Sequence, residues 1–187
     1  MLLFPNGIKI TKNEYKCIQY IEADPEVWLQ STLHAKAGRR RDALIRVWRP
    51  RLFADSAVTE IPADPDALAR LIMDRADYKT RAQADTECGE LPALYQTTMF
   101  EATVRSTQES VTFCPNGLTI TDQECDCILA YIPNIDDWIY GAILGHINRG
   151  KKKMILKYAQ VLFEDPTVST SPADYDGMIE LITSRSD

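Results

Sequence analysis

Long apolar runs are missing from this sequence. No stretch approaches the roughly 20 consecutive apolar residues that a membrane-spanning helix needs. The start, Met1-Leu2-Leu3-Phe4-Pro5, has neither the basic segment nor the long apolar segment of a signal peptide. We therefore expect no membrane partner, and a protein that is made and assembled inside a cell.

The motifs of common enzyme classes are missing as well. The sequence has no GxxxxGK[ST] or GxGxxG glycine loop, no HExxH and no GxSxG. Its carboxylates show no spacing that singles out a catalytic pair. We expect a protein that is not an enzyme, with no catalytic residue and no cofactor.

Charge and composition are those of an ordinary globular protein. The 187 residues include 21 Lys+Arg and 27 Asp+Glu, which gives a net charge of −6, and 45% are apolar. A net acidic chain is not built over its whole surface for polyanions, although a local basic patch can coexist with net acidity. One sizeable core or two small, mutually supporting cores are both possible at this length.

An internal repeat is the strongest signal in the sequence. Residues 5–11, PNGIKIT, return as residues 115–121, PNGLTIT, and the alignment continues in the same register without a gap. Roughly a third of the aligned positions are identical, too many for chance in one register. Further matched pairs are Glu14/Glu124, Cys17/Cys127, Trp28/Trp138, Ile45/Ile155, Phe53/Phe163 and Asp64/Asp174. The sequence predicts residues 1–77 and 111–187 as two copies of a module, joined by a connecting arm or linker at 78–110.

Each copy is predicted to be a small unit of three helices, which makes the fold mainly α. Thr11 to Glu14 and Thr121 to Glu124 have the pattern of a capping box at the start of a first helix. A second, long helix follows, and then a third one capped by Asp64 or Asp174. The Pro-Asn-Gly segment before each unit predicts a tight turn with a short extended pair.

The long helix is expected to differ between the copies. In the second copy the apolar rhythm runs through Gly150, whereas Gly38 and Pro50 favour a bend or an early stop in the first. The predicted core residues are Trp28, Trp138, Ile45, Ile155, Phe53 and Phe163.

Histidine and cysteine give no metal site. His34 and His146 occupy non-equivalent positions in the two copies and are expected to be partly exposed imidazoles. The five cysteines lack paired CxxC spacing, so no metal is predicted. Cys17 and Cys127 are expected to be small buried apolar residues. Three copy-specific cysteines are candidates for intermolecular disulfides: Cys88, Cys114 and Cys125.

Two basic runs fall at similar places in the two copies, Arg39 to Arg41 and Lys151 to Lys153. Such runs either bind phosphates or an acidic partner, or form a solvated helix face. Acidic residues cluster elsewhere, in residues 55–90. They either act as helix caps and turn formers, or form an acidic face that meets a basic face on another copy of the protein. The predicted partner-binding residues are Arg39, Arg40, Arg41, Lys151, Lys152 and Lys153.

A family resemblance rests on residues 138–154, WIYGAILGHINRGKKKM, followed by Leu162 to Asp165 and by Pro172 to Asp174. These segments resemble short proteins encoded among the virion genes of tailed bacteriophages. The first copy matches more loosely over residues 28–77 and departs at Gly38 and Pro50. The resemblance implies a virion component at the neck or collar, the tail or the capsid surface, assembled in the host cytoplasm.

The leading interpretation is a non-enzymatic structural protein of a tailed-phage particle. Its partners are then other virion proteins and further copies of itself, in a homo-oligomer, with no membrane involved. One alternative is a nucleic-acid-contacting protein that uses the two basic runs. Another is an assembly chaperone that is absent from the mature particle.

Overall fold

The computed structural model describes residues 1–89, 110–168, 172 and 174–185, without the side chain of Phe163. This part of the chain is mainly helical, as predicted. Its helices are α1 (Lys12–Gln19), α2 (Pro25–Ala54), α3 (Pro65–Met73), α4 (Arg81–Glu87), α5 (Asp122–Leu129), α6 (Ile135–Glu164) and α7 (Tyr175–Thr183). Its strands are β1 (Leu2–Leu3), β2 (Ile8–Thr11), β3 (Ser110–Phe113) and β4 (Leu118–Thr119).

The helix starts follow from side-chain capping. The Thr11 hydroxyl accepts a hydrogen bond from the backbone N–H of Glu14, whose carboxylate accepts one from the Thr11 N–H at 2.8 Å. Thr121 and Glu124 form the same reciprocal pair at the start of α5. These bonds satisfy N–H groups that a helix start otherwise leaves free, so both predicted capping boxes are confirmed.

The expected early stop of the first long helix is wrong. α2 runs from Pro25 to Ala54 through both Gly38 and Pro50. Pro50 has no N–H, so the carbonyl of Arg46 loses its helical hydrogen bond. Both residues are exposed and lie near the end of α2. Water can solvate that carbonyl, and the buried inner side of the helix supplies the packing that keeps it continuous.

The four strands pair between the two halves of the chain. β1 pairs antiparallel with β4, and β2 pairs antiparallel with β3. The extended segments around each Pro-Asn-Gly turn were expected to pair with each other, and this expectation is wrong, because each pairs with the other half. Both turns are nevertheless tight, since Gly7 N–H donates to the Phe4 carbonyl at 2.8 Å and Gly117 N–H to the Cys114 carbonyl at 2.9 Å.

The first helix of each half packs on the long and short helices of the other half, so the two first helices are exchanged. α1 packs on α6 and α7, whereas α5 packs on α2 and α3. Cys17 of α1 therefore lies in an apolar cluster with residues of α6 and α7, here called the α6 end cluster (Cys17, Met154, Leu162, Met178, Ile179, Ile182). Ala130 and Tyr131, just after α5, pack on the corresponding α2 end cluster (Leu44, Trp48, Leu52, Leu68, Ile72). The predicted boundaries at 77 and 110 stay a prediction, and the packing crosses them.

A central cluster joins the two halves. It contains the first half of α2, through Leu29, Leu33 and Ala37, and the first half of α6, through Ile139 and Ile143. Trp28 stacks on His146, and Lys36 lies over the ring of Trp138. Trp28 precedes Lys36 along α2, whereas its partner His146 follows Trp138 along α6, so the two helices cross antiparallel. Their C-terminal halves, with the end clusters, therefore lie at opposite ends of the molecule.

The predicted core needs one correction. Phe53 is 72% exposed, because it lies on the opposite side of α2 from the buried Leu44. Trp28 and Trp138 are partly buried against the central cluster, and Ile45 and Ile155 against the two end clusters. The side chain of Phe163 lies outside the described residues.

Candidate functional site

The three arginines of the first basic run, Arg39 to Arg41, lie in three different environments. Arg41 points to α3, and its guanidinium donates to the Asp66 carboxylate at 2.8 Å. Arg40 lies over the ring of Tyr131, with its guanidinium carbon 5.1 Å from the ring centroid. Arg39 is exposed. Two of the three predicted partner-binding arginines therefore hold helices together within the chain, and one faces solvent.

The second run divides in a related way. Lys151 is largely covered and forms an ion pair with Asp176 at the start of α7. Lys152 and Lys153 are exposed. In the register of the repeat, Lys151 and Asp176 are the counterparts of Arg41 and Asp66, so the same tie between a long and a short helix recurs in both halves. The ties bring cations and acids of one chain together, and their net contribution at partly exposed positions is small.

The exposed side of α2 is basic. Residues at 39, 42, 46, 49 and 53 follow the three- and four-residue spacing of one helix face, and all of them are exposed. Asp42 on this face is already hydrogen-bonded to Arg41. We call Arg39, Arg46, Arg49 and Phe53 the α2 outer face. It lies opposite the buried side of the helix that carries Leu44.

α6 has a related exposed side. Arg149, Lys152 and Leu156 are all exposed, and in the register of the repeat they match positions 39, 42 and 46 of α2. We call these three the α6 outer face. Beside it Lys157 lies over the rings of Tyr20 and Tyr158, at 5.6 and 5.2 Å from their centroids. Lys157 therefore covers the seam between α1 and α6.

The two long helices concentrate positive charge in an acidic protein. They hold twelve of the 21 Lys+Arg residues but only five of the 27 Asp+Glu residues. The long helices thus carry an excess of seven positive charges, and the rest of the chain an excess of thirteen negative ones. Separation of this size creates surfaces of opposite potential on one molecule.

A polar cleft of about 790 Å³ lies where α5 meets α2 and α3. In it His34 Nδ1 is 2.8 Å from the Glu124 carboxylate, and Arg70 donates to the Gln123 side chain at 2.9 Å. Gln123 in turn donates to the Asp66 carbonyl at 2.6 Å. These bonds join helices from the two halves of the chain.

The hydrogen bonds in the cleft determine which ring nitrogen of His34 donates and which accepts. Gln30 accepts from the Thr119 N–H and donates to the Thr119 carbonyl, which fixes the orientation of its amide. Its second N–H points at His34 Nε2, 2.6 Å away. His34 Nε2 is then an acceptor, and Nδ1 donates to Glu124. A general base needs a ring nitrogen whose lone pair is free to take a proton. Nε2 of His34 already accepts from Gln30, so His34 instead helps to hold the helices of the two halves together.

Glu124 serves both the helix cap and the histidine. Its partial burial raises the pKa of the carboxyl, but hydrogen bonds from Thr121 and His34 outweigh burial, so the pKa of Glu124 is lowered overall. The charged form is favoured in the folded state, and this contribution to stability is lost as the pH falls through the lowered pKa.

His146 differs from the expected partly exposed imidazole. It is only 4% exposed and stacks on Trp28, with ring centroids 3.8 Å apart. Burial lowers its pKa, although Nε2 lies 3.0 Å from Glu22 and that carboxylate acts in the opposite direction. The neutral ring is therefore favoured in the folded state. Its neighbours come from the other half of the chain, so sequence spacing held no signal for this contact.

The cysteines occupy two kinds of environment. Cys17 and Cys127 are buried as predicted, and burial raises the pKa of the Cys17 thiol to about 12 and that of Cys127 to about 11. Of the three candidates for intermolecular disulfides, Cys114 and Cys125 are buried, and Cys88 is exposed. Only Cys88 among them is accessible to another molecule without local unfolding.

Comparisons with protein-family models, with curated proteins and with solved structures find no match to this chain. In the described part of the chain, no helix is long and apolar enough to span a membrane. The same residues include no group of three or more His, Cys, Asp or Glu side chains placed to hold a metal ion.

Proposed function

We propose that this protein is a non-enzymatic structural subunit whose long helices bind neighbouring subunits. The observation that carries the proposal is the charged outer face on each long helix, formed at matching positions in the two halves. Exposed cations on these faces are combined with exposed apolar side chains, Phe53 and Leu156, both 72% exposed. Protein interfaces use this combination, because apolar contacts add affinity and charges select the partner.

The proposal includes a tandem duplication of one three-helix module. Its support is that α5, α6 and α7 begin and end at the positions that the repeat register matches to the ends of α1, α2 and α3. Phe4 and Cys114, also matched in this register, both have the positive φ that is uncommon for residues other than glycine, with values of 49° and 51°. Two independent sequences would not be expected to share an unfavourable backbone conformation at matching positions.

A virion of a tailed bacteriophage is the proposed setting, at the neck or collar, the tail or the capsid surface. The support here is the resemblance of residues 138–154 and the segments that follow them. A duplicated module suits such a particle, because two similar outer faces on one chain can meet repeated surfaces of a symmetric assembly.

Light scattering of the purified full chain on a sizing column, with absorbance at 260 and 280 nm, tests the proposal. We expect a mass above the 21.2 kDa of one chain, without nucleic acid. A 21.2 kDa species without nucleic acid contradicts self-association. Loss of the larger species in reductant identifies Cys88 as a source of intermolecular disulfides.

Nucleic-acid contact is the second candidate function, and the exposure of Arg39, Lys152 and Lys153 favours it. Binding would then weaken steeply with salt, and changing Lys152 and Lys153 to Ala would flatten the salt slope. A monomer that elutes with salt-removable nucleic acid supports this function over the first. An assembly chaperone is distinguished by its absence from purified particles.

A further inference from the structure

An acidic surface on α7 complements the α2 outer face. α7 contains no Lys or Arg, and its exposed side carries Asp176 and Glu180 together with Tyr175, which is 65% exposed. We call Tyr175, Asp176 and Glu180 the α7 acidic face. The α2 outer face combines three arginines with an exposed aromatic ring, Phe53, so the two faces match in charge and in their apolar part.

The two faces lie at opposite ends of one molecule. α2 and α6 cross antiparallel through Trp28 and His146 at one contact and Lys36 and Trp138 at the other. The C-terminal half of α2 therefore carries Arg46, Arg49 and Phe53 of the outer face at one end. α7 packs on the C-terminal half of α6 at the other end. Within one chain, the α2 outer face and the α7 acidic face are too far apart to pair.

The α2 outer face of one copy can meet either the α3 end or the α7 end of another copy, and the charges favour the α7 end. α3, the counterpart of α7 at the α2 end, has an exposed cation of its own, Arg70, where α7 has the exposed acid Glu180. Asp66 and Asp176 are each paired with a cation of the neighbouring long helix, so they do not distinguish the two short helices. α7 has no such cation, so it is the better acidic partner for the α2 outer face. A contact that joins one end of a molecule to the other end of the next is heterologous, and it builds rings or filaments.

We propose that copies of this protein associate head to tail, with the α2 outer face of one copy on the α7 acidic face of the next. This inference rests on the proposed structural function and names the partner of its outer face, namely a second copy of the same chain.

Two charge-changing variants of the full chain test the proposal by sedimentation velocity at low salt. The first, Arg46→Glu with Arg49→Glu, reverses the α2 outer face. The second, Tyr175→Lys with Glu180→Lys, reverses the α7 acidic face and keeps the Lys151–Asp176 ion pair. Lys9→Glu with Lys79→Glu is the control, because these exposed lysines lie outside both faces and their exchange gives the same net charge as the first variant.

We expect each face variant alone to raise the Kd of self-association at least about tenfold, and the control to change it little. Mixing the two face variants should restore association, because each supplies the face that the other lacks. Circular dichroism of each variant shows whether it folds, and restoration on mixing requires folded partners.

Several results overturn the proposal. If the wild type associates and both face variants associate equally well, the contact lies elsewhere and the structural function stands. If the first variant loses association, the second keeps it and mixing restores nothing, the contact is between like ends. If the wild type is a monomer at every concentration, self-association fails together with this inference.

Discussion

Gly150 gives the sharpest stability prediction, because it lies at the crossing of α1 and α6. A Cβ atom at this position would be 2.7 Å from the carbonyl carbon of Cys17, and closer still to its oxygen. Both of these atoms belong to the backbone of α1, so no side-chain rotation can relieve the overlap. The helices would have to move apart, which would open the α6 end cluster.

The magnitude follows from two opposing effects. Replacing glycine by alanine within a helix normally stabilises it by about 0.5–1 kcal/mol. Overpacking a close contact costs typically about 1–3 kcal/mol, and more where backbone must move. For Gly150→Ala we expect a net loss of about 2 kcal/mol, which corresponds to a fall in Tm of about 4–8 °C for a chain of this size.

Gly145→Ala is the matched control on the same helix. Nothing lies within 4 Å of the Cβ that it would add, so it should stabilise the protein by the helix-propensity gain alone. Urea and thermal unfolding, followed by circular dichroism, measure both variants. Equal effects of Gly150→Ala and Gly145→Ala would refute the packing of α1 on α6, and with it the exchange of first helices.

Two further predictions concern a histidine and a pair of neighbours on α2. Burial lowers the pKa of His146, so the unfolded chain binds a proton at this residue more readily than the folded one. The free energy of unfolding should therefore fall as the pH drops below about 6.5. His146→Gln should make this fall less steep, as measured by urea unfolding at a series of pH values. An unchanged slope would show that another group causes it. Phe53→Ser should change the free energy of unfolding by less than about 0.5 kcal/mol, whereas Leu52→Ala should cost about 2–5 kcal/mol. A larger loss for Phe53→Ser than for Leu52→Ala would show that the other side of α2 is buried.

Local features of the fold could be predicted from the sequence, because they depend on neighbouring residues. The Thr11 and Thr121 capping boxes each act within one helical turn, and both helices begin there. Pro50 misled the prediction, because a proline interrupts a helix less where exposed carbonyls can bind water. Phe53 misled it as well, since the repeat matched it to Phe163 without showing which side of the helix is buried.

Contacts between the two halves could not be predicted. The exchange of α1 and α5, the stacking of Trp28 on His146 and the His34–Glu124 pair all join positions far apart in the chain. A repeat in sequence shows which elements are similar, but not whether each element packs within its own copy. The division of Arg39, Arg40 and Arg41 among three environments depends on the same packing.

Sedimentation equilibrium of the wild-type chain across a series of salt concentrations tests the central claim most directly. If oppositely charged faces join the copies, the average mass should exceed 21.2 kDa at low salt and fall towards that value as salt screens the contact. A mass of 21.2 kDa at low salt, or a larger mass that salt leaves unchanged, would contradict it.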